Sequence, residues 1–360
     1  MKKALALLLA GVMMFALCAC GQTATQSTNT PAANNGGTSG KPEAAPASTE
    51  VIELVVGGVT SSSAKDAVTF FGEKLKEYSN GTLVIVDFPD NQLGDDAQRF
   101  EMTQTGECDI SIGSTASVAA TYKDFYVYDV PYLFLSKQEV YDIGFNGEAG
   151  LEILNGLEEL GLKGLAMWEN GFRNLTTNNT VINGVADLSG LKIRTMDNPI
   201  HLAAWKAMGA NPTPMAFSEL FTAMQQGTVD GEENPLGIIT GNKFYEVEKF
   251  CYVTEHAYSP YYVVMNLDRY NSLTAEQQEA LNKAMAEATK YQYEMSQKYE
   301  DDAVAEMEAA GCTVTVLSVE QKQEYKEAAD KGDCLTLAKG MMTHPELADK
   351  MNDELIASRG

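Results

Sequence analysis

From Val51 onward, short runs rich in β-branched and aromatic residues alternate with stretches whose apolar residues recur at helical spacing. That alternation constrains the fold more than any other feature, because repeated strand–helix–strand units bury their apolar faces as layered α/β structure. Strand candidates are VIELVV (51–56), LVIVDF (83–88), DISIG (109–113), LKGLAMW (162–168), LKIRT (191–195), YYVVMNL (261–267) and TVTVL (313–317). The expected fold class is α/β with largely parallel sheets. At 360 residues the chain is long enough for two domains, each with its own core. An apolar content of 44 % with 9 % aromatics supports a globular chain rather than a disordered one.

Helices fit between the strands. Phe70, Phe71, Leu75 and Tyr78 recur at helical spacing over 64–78, with Gly81 as a stop. After LKIRT, Asn198 can cap a helix, Pro199 suits its first turn, Leu202, Ala203, Trp205 and Met208 form its stripe, and Gly209 ends it. The longest pattern starts at Thr274, where TAEQ predicts a capping box with Gln277, and runs to about Ala310. Some 35 residues would span roughly 50 Å, enough to bridge two lobes. A break near Asp301 and Asp302, giving two helices, is an equal alternative on sequence grounds.

The N-terminus points to export. Lys2 and Lys3 precede an apolar run from Ala4 to Ala19, short for a membrane span but right for a secretory signal. It ends Leu17-Cys18-Ala19-Cys20, the Leu-x-Ala-Cys pattern of bacterial lipoprotein signals, so residues 1–19 are expected to be removed and Cys20 to carry the lipid. A plain signal with an incidental cysteine is the alternative. Residues 20–49 are poor in large apolar side chains and are expected to form a flexible tether. The membrane would then be touched through the N-terminal lipid alone. Four further cysteines, Cys108, Cys251, Cys312 and Cys334, are too far apart for a CxxC metal site, and buried free thiols are expected.

Charge and missing motifs exclude several chemistries. Fifty acidic against 26 basic residues give a net charge of −24, which repels nucleic-acid phosphates. The three histidines, His201, His256 and His344, lack metal-ligand spacing and are expected to be surface or packing residues. No G-x-S-x-G elbow is present, no G-x-G-x-x-G follows a strand, and GGTSGK (36–41) lacks the first glycine of a phosphate loop. The doublets Asp95-Asp96 and Glu232-Glu233 are expected to be solvated rather than an acid–base pair. No cofactor is expected, and binding is favoured over turnover.

Of the 26 basic residues only five are arginine: Arg99, Arg173, Arg194, Arg269 and Arg359. Lysine is the default here, so an arginine at the end of LKIRT needs a reason. The order strand, Arg194, turn, helix puts Arg194 at the carboxyl end of a strand, where open α/β sheets leave a ligand crevice. A guanidinium there can grip a carboxylate with two parallel hydrogen bonds. An internal ion pair with Asp or Glu is the other reading.

The run GLKIRTMDNPIHLAAWKAMGANPTPMAFSELFTAMQQGTVDGEENPL (190–236) resembles the signature region of the solute-binding proteins of tripartite ATP-independent periplasmic (TRAP) transporters, the DctP-like family. Similar strings upstream are NGTLVIVDFPDNQLGDD (80–96), GECDISIGS (106–114), YDVPYLF (128–134) and WENGFRNLTTN (168–178). The resemblance implies a two-lobed, periplasmic-binding-protein-like fold with a ligand cleft between the lobes and a long helix bridging them. It implies that Arg194 pairs with a ligand carboxylate, that Arg173 and Asn234 belong to the site, and that Phe217 packs on the ligand. The chain departs from the family at Glu232, usually Gln, and at Gly113, where the sialic-acid branch has an acidic residue. Trp168, Phe172, Tyr258 and Tyr261 are further candidates to flank a sugar ring or carbon chain, with packing in the core, the commoner place for aromatics at strand ends, as the other reading.

The expected division is 50–170 plus 258–299 for lobe I and 171–257 plus 300–360 for lobe II. The implied protein is a lipid-anchored extracytoplasmic receptor, not an enzyme, that binds an organic acid, with a hexuronate or aldonate favoured, and delivers it to a membrane permease. Alternatives are a receptor for a C4-dicarboxylate or another monocarboxylate, a presenter of ligand to a sensor kinase, and a secreted hydrolase using paired carboxylates.

Overall fold

The computed structural model describes residues 50–360; the signal, the tether and Cys20 lie outside the described residues. Nine strands form one sheet: β1 (Ile52–Gly57), β2 (Leu83–Phe88), β3 (Ile110–Ser114), β4 (Leu162–Thr177), β5 (Lys192–Thr195), β6 (Asn211–Pro214), β7 (Gly231–Pro235), β8 (Phe250–Asn266) and β9 (Thr313–Val316). Their order is β2-β1-β3-β8-β4-β7-β5-β6, with β9 pairing β8. Helices α1 (Ser62–Tyr78), α2 (Asp96–Thr105), α3 (Pro199–Ala207), α4 (Phe217–Gln225), α5 (Ala275–Ala309), α6 (Val319–Asp330), α7 (Cys334–Met341) and α8 (Glu346–Arg359) pack with it.

The sheet is parallel within each half, at β2-β1-β3 and at β7-β5-β6, as expected. Its centre is not: β8 runs antiparallel to β3 and β4, and β4 antiparallel to β7. The difference arises because β4 and β8, of 16 and 17 residues, each serve both halves. Residues 261–265 of β8 pair with β3, and its residues 250–253 pair with β9; residues 173–177 of β4 pair with β7. The sequence showed only the apolar ends of these strands, 162–168 and 261–267, because their middle segments carry polar residues.

The crossing is irregular. The β4–β8 register shifts between Glu169 and Gly171 and again between Arg173 and Leu175. Gly171 has φ +123°, and a Cβ there would lie 3.3 Å from the Pro235 ring, so the bulge favours glycine.

Helix α5 starts at the expected Thr274–Gln277 capping box and runs unbroken through Asp301 and Asp302, which settles the open alternative in favour of one 35-residue helix. Its Leu281, Met285 and Ala288 join the core of the first half with Leu54, Val56 and Phe71; its Ala303 and Met307 join the core of the second with Leu220 and Ile239. It therefore bridges the halves.

The C-terminal helices pack against residues of both expected lobes. Helices α7 and α8 bury Ala338, Leu347, Ala348, Met351 and Leu355 against Phe125, Tyr128, Ile153 and Leu157. An apolar helical stripe goes where the largest uncovered apolar surface is, and residues 118–157 supply it. The segment from Cys334 thus shares a core with residues of 118–157 and with Ile200 and Ala204 of α3. Cys108, Cys251, Cys312 and Cys334 are buried free thiols, as expected.

At its middle α5 is tied to the β4 bend. Gln292 Oε1 accepts from Glu169 N (2.8 Å), and its Nε2 donates to Glu169 O (2.7 Å), so one buried amide satisfies both main-chain groups where the ladder is irregular. Gln292→Ala strands both. It is expected to lower the unfolding free energy by about 1–3 kcal/mol, read as a lower urea midpoint with unchanged slope.

Candidate functional site

A cavity of about 630 Å³ opens where the two halves meet. This is the size and place in which such folds hold small molecules. One wall carries Thr60, Asn91, Gln98, Ser114 and Ser117 from the first half; the other carries Arg194, Met215, Phe217 and Asn234 from the second. Asn170 and Arg173 of the crossing strand and Tyr261 complete the lining.

Arg194 lies on β5, followed by a turn that is built as expected. Asn198 Oδ1 accepts from Ile200 N (2.9 Å) and His201 N (3.4 Å), with Pro199 in the first turn of α3. The Asn198 Nδ2 donates to Asp129 Oδ2 (2.7 Å) and Ala116 O (3.1 Å), which fixes the turn against the first half. Arg194 itself is 1 % exposed. Its Nε and Nη2 donate to the Met215 carbonyl (3.1 and 2.7 Å), and its Nη1 is buried with no hydrogen-bond partner among the described residues. The Phe217 ring stands 6.0 Å from the guanidinium carbon. No carboxylate among the described residues lies within ion-pair distance of Arg194. Burial lowers this guanidinium to about 10, against the pull of Glu232 and Glu233, so it stays cationic at neutral pH.

Arg173 is differently placed. Its Nε and Nη2 hold the Glu233 carboxylate through both oxygens (2.5 and 2.8 Å), and Nη2 also reaches Asn234 Oδ1 (3.2 Å). Glu233 is further bonded by His256 Nε2 (3.1 Å) and lies 3.8 Å from His201 Nδ1, while His201 Nε2 bonds Asp129 (3.1 Å). Burial alone would keep Glu233 neutral, but Arg173 and the two histidines hold it well below the usual carboxylate range. Burial lowers His256, consistent with a neutral ring that accepts from Thr254 Oγ1 (2.8 Å) and donates to Glu233. For His201 the Asp129 and Glu233 partners outweigh burial and raise it to about 9.

The Glu232-Glu233 doublet was expected to be solvated, and here the structure differs: both side chains are fully buried. The reason is β7, a five-residue central strand without a hydrophobic run, pinned between β4 and β5. In Asp95-Asp96, Asp95 caps α2 and Asp96 pairs with Arg99. His201 and His256 are the buried partners described above, and His344 bonds Asp124. A Cβ at Gly113 would strike the Tyr262 hydroxyl, so the fold leaves no room there for an acidic side chain.

Of the sequence candidates, Arg194, Arg173, Asn234, Phe217 and Tyr261 meet at the cavity; Trp168, Tyr258 and Phe172 do not. Trp168 is fully buried in the first-half core with Nε1 donating to Thr289 Oγ1 (2.9 Å). Tyr258 packs edge-on against Phe172 (5.0 Å) in the separate core that also holds Phe125, Tyr128 and Tyr262. Bulges between 169 and 175 shift the alternation of faces, so spacing alone could not tell which aromatics look into the cleft. The sequence reading missed the small polar wall of the first half and the Asp129–His201–Glu233–His256 cluster. Scarcity was a usable signal for the latter, since two of only three histidines belong to it.

His201 is protonated more readily in the folded chain than at its ordinary 6.5. Its contribution is therefore full below about 6.5 and lost as the pH rises through about 9. His201→Gln is expected to remove on the order of 1–3 kcal/mol of that pH-dependent stability, seen as a flatter dependence of the urea midpoint on pH over this window.

Residues 57–332 match the family model described as bacterial extracellular solute-binding protein, family 7. The 2,3-diketo-L-gulonate-binding periplasmic protein YiaO of Escherichia coli is 36 % identical over 244 residues, 68 % of this chain and 74 % of that protein. The C4-dicarboxylate-binding periplasmic protein DctP of Rhodobacter capsulatus is 33 % identical over 290 residues, 80 % of this chain and 83 % of that one. Among solved structures, the sugar acid binding protein DctPAm of Advenella mimigardefordensis, in complex with galactonate, superposes with a TM-score of 0.79 at 31 % identity, covering 84 % of this chain and 99 % of that one. With its two-lobed mixed sheet and its interlobe cavity, this chain belongs to the bacterial extracellular solute-binding protein family 7, the DctP family of TRAP transporter receptors.

Proposed function

We propose that the protein is the receptor of a TRAP transporter for a sugar acid, held by Arg194 through the acid's carboxylate and handed to the membrane permease. The observation that carries this reading is the buried Arg194 guanidinium, with Nη1 unpartnered at the wall of the 630 Å³ cavity. Among the described residues that line the cavity, Arg173 is ion-paired with Glu233, whereas Arg194 has no ion pair. The facing wall offers hydroxyls and amides from Thr60, Asn91, Gln98, Ser114 and Ser117, which suit the hydroxyls of an aldonate or uronate better than a second carboxylate. Asn234 and Phe217 would orient and cover the ligand.

Binding without turnover is part of the proposal. So are anchorage through Cys20 to the outer face of the cell membrane and closure of the lobes by bending where β4 and β8 cross. Ligand touching both walls stabilises the closed form by its differential affinity. Titration calorimetry of the mature chain with D-galactonate, D-galacturonate and succinate tests it. One of the sugar acids is expected to bind at micromolar level or tighter, and Arg194→Ala to weaken it by about a hundredfold or more. No binding above millimolar, or equal affinity after the substitution, rejects the reading.

A further inference from the structure

We propose that Glu232 makes ligand capture proton-coupled: when an acid anion settles on Arg194, the receptor takes up a proton on the Glu232 carboxylate. The inference rests on the reading of Arg194 given above. It starts from register. β5 and β7 run side by side with Arg194 directly opposite Glu232, and β4 places Thr176 opposite Glu232 from the other side. The Glu232 side chain is fully buried. Its Oε1 accepts from Thr176 Oγ1 (3.0 Å) and its Oε2 from Asn234 Nδ2 (2.5 Å). Asn234 lines the cavity, so Glu232 sits one hydrogen bond beneath the ligand space.

The charged groups around it narrow its role. On its own strand, Glu233 is matched by Arg173 of β4. Ahead of β7, Asp230 accepts from Lys192 N (2.8 Å). Ahead of β8, Glu248 is fully buried with both oxygens unpartnered among the described residues, and burial pushes it up to about 9, so it is a neutral acid at working pH. On β8, burial raises the Cys251 thiol and keeps it neutral. Arg194 of β5, opposite Glu232 in the ladder but outside ion-pair distance, is the stronger of the two arginine influences on it. A ligand carboxylate arriving at Arg194 adds a second anion to the same dehydrated region, where like charges repel strongly.

Protonation of Glu232 relieves that repulsion. Burial, reinforced by Glu233, already pushes Glu232 up to about 7 against the Asn234 bond and the two arginines, so a modest further push crosses working pH. The sign follows. The bound anion raises this value further, so the complex retains a proton that the free receptor has lost. Affinity is full below about 7 and falls by up to about tenfold per pH unit above it, until the pH passes the value in the complex. The resemblance puts a glutamine here in the family; a neutral amide has no proton to take up.

The test is calorimetry on the mature chain with D-galactonate, D-galacturonate, D-erythronate and succinate, following the tightest binder from a pH of about 6 to about 9. Repeating the titration at one pH in buffers of different ionisation enthalpy counts protons. Wild type is expected to take up a measurable fraction of a proton per ligand between about pH 7 and pH 8 and to weaken with rising pH, whereas Glu232→Gln is expected to take up none and to show a flat profile. A flat wild-type profile without proton uptake overturns the role of Glu232 and leaves the Arg194 reading standing. A pH dependence that persists undiminished in Glu232→Gln also overturns it, because another group then carries the proton. If wild type binds none of the acids, the Arg194 reading falls and this inference with it. The proton count on wild type needs no variant to fold.

Discussion

The pairing of Arg173 with Glu233 is the interaction on which the site depends. It lies between β4 and β7, where the sheet passes from one half to the other, and neither side chain is more than 1 % exposed. Isolated, each charge would be prohibitive to bury; together, with His256 bonding Glu233, Asn234 bonding Arg173 and His201 close by, they form a charge-matched network. Such a network is rigid because moving any member strands another. It also balances the charge of Arg173, whereas Arg194, among the described residues, has no ion pair and keeps a buried donor without a partner at the cavity. One arginine thus builds the wall, and the other is left available in it.

Geometry produces the same asymmetry. Arg194 is steadied on one edge by the Met215 carbonyl and on its face by Phe217, so two donors and the plane of the guanidinium are fixed before any ligand arrives. Preorganisation of this kind reduces the ordering cost of binding. The turn that follows is pinned by Asn198 to Asp129, which His201 also bonds, so the arginine strand, the helix cap and the charged network form one connected unit.

How much of this was legible in the sequence depended on whether a feature is local. The Asn198 cap, the Thr274–Gln277 box and the strand ending in Arg194 are set by neighbours in the chain, and they could be read directly. The rarity of arginine pointed to residues that need a fork of donors rather than a point charge. What could not be read was set by distant pairing. β7 has the composition of a solvated turn, Gly-Glu-Glu-Asn-Pro, and becomes a buried strand because β4 and β5 close on it with partners already in place. Trp168 and Tyr258 look like cleft aromatics until the bulges in β4 decide their faces. The C-terminal stripe of Leu347, Met351 and Leu355 declared that α8 needed an apolar surface but not which one.

The chain's overall charge makes the burial of Arg194 consequential. A net charge of −24 repels an acid anion at long range, although salt screens that field over about 8 Å. Attraction must therefore be short-ranged and strong, which requires a cation out of water. A surface arginine would be screened to little value, whereas one lined by Met215, Phe217 and the sheet keeps its field within the cavity. The same dehydration acts on Glu232, which cannot stay charged as easily as a surface carboxylate. Burial thus strengthens the grip on an acid proposed for Arg194 and unsettles the charge of Glu232 on β7 in the middle of the sheet.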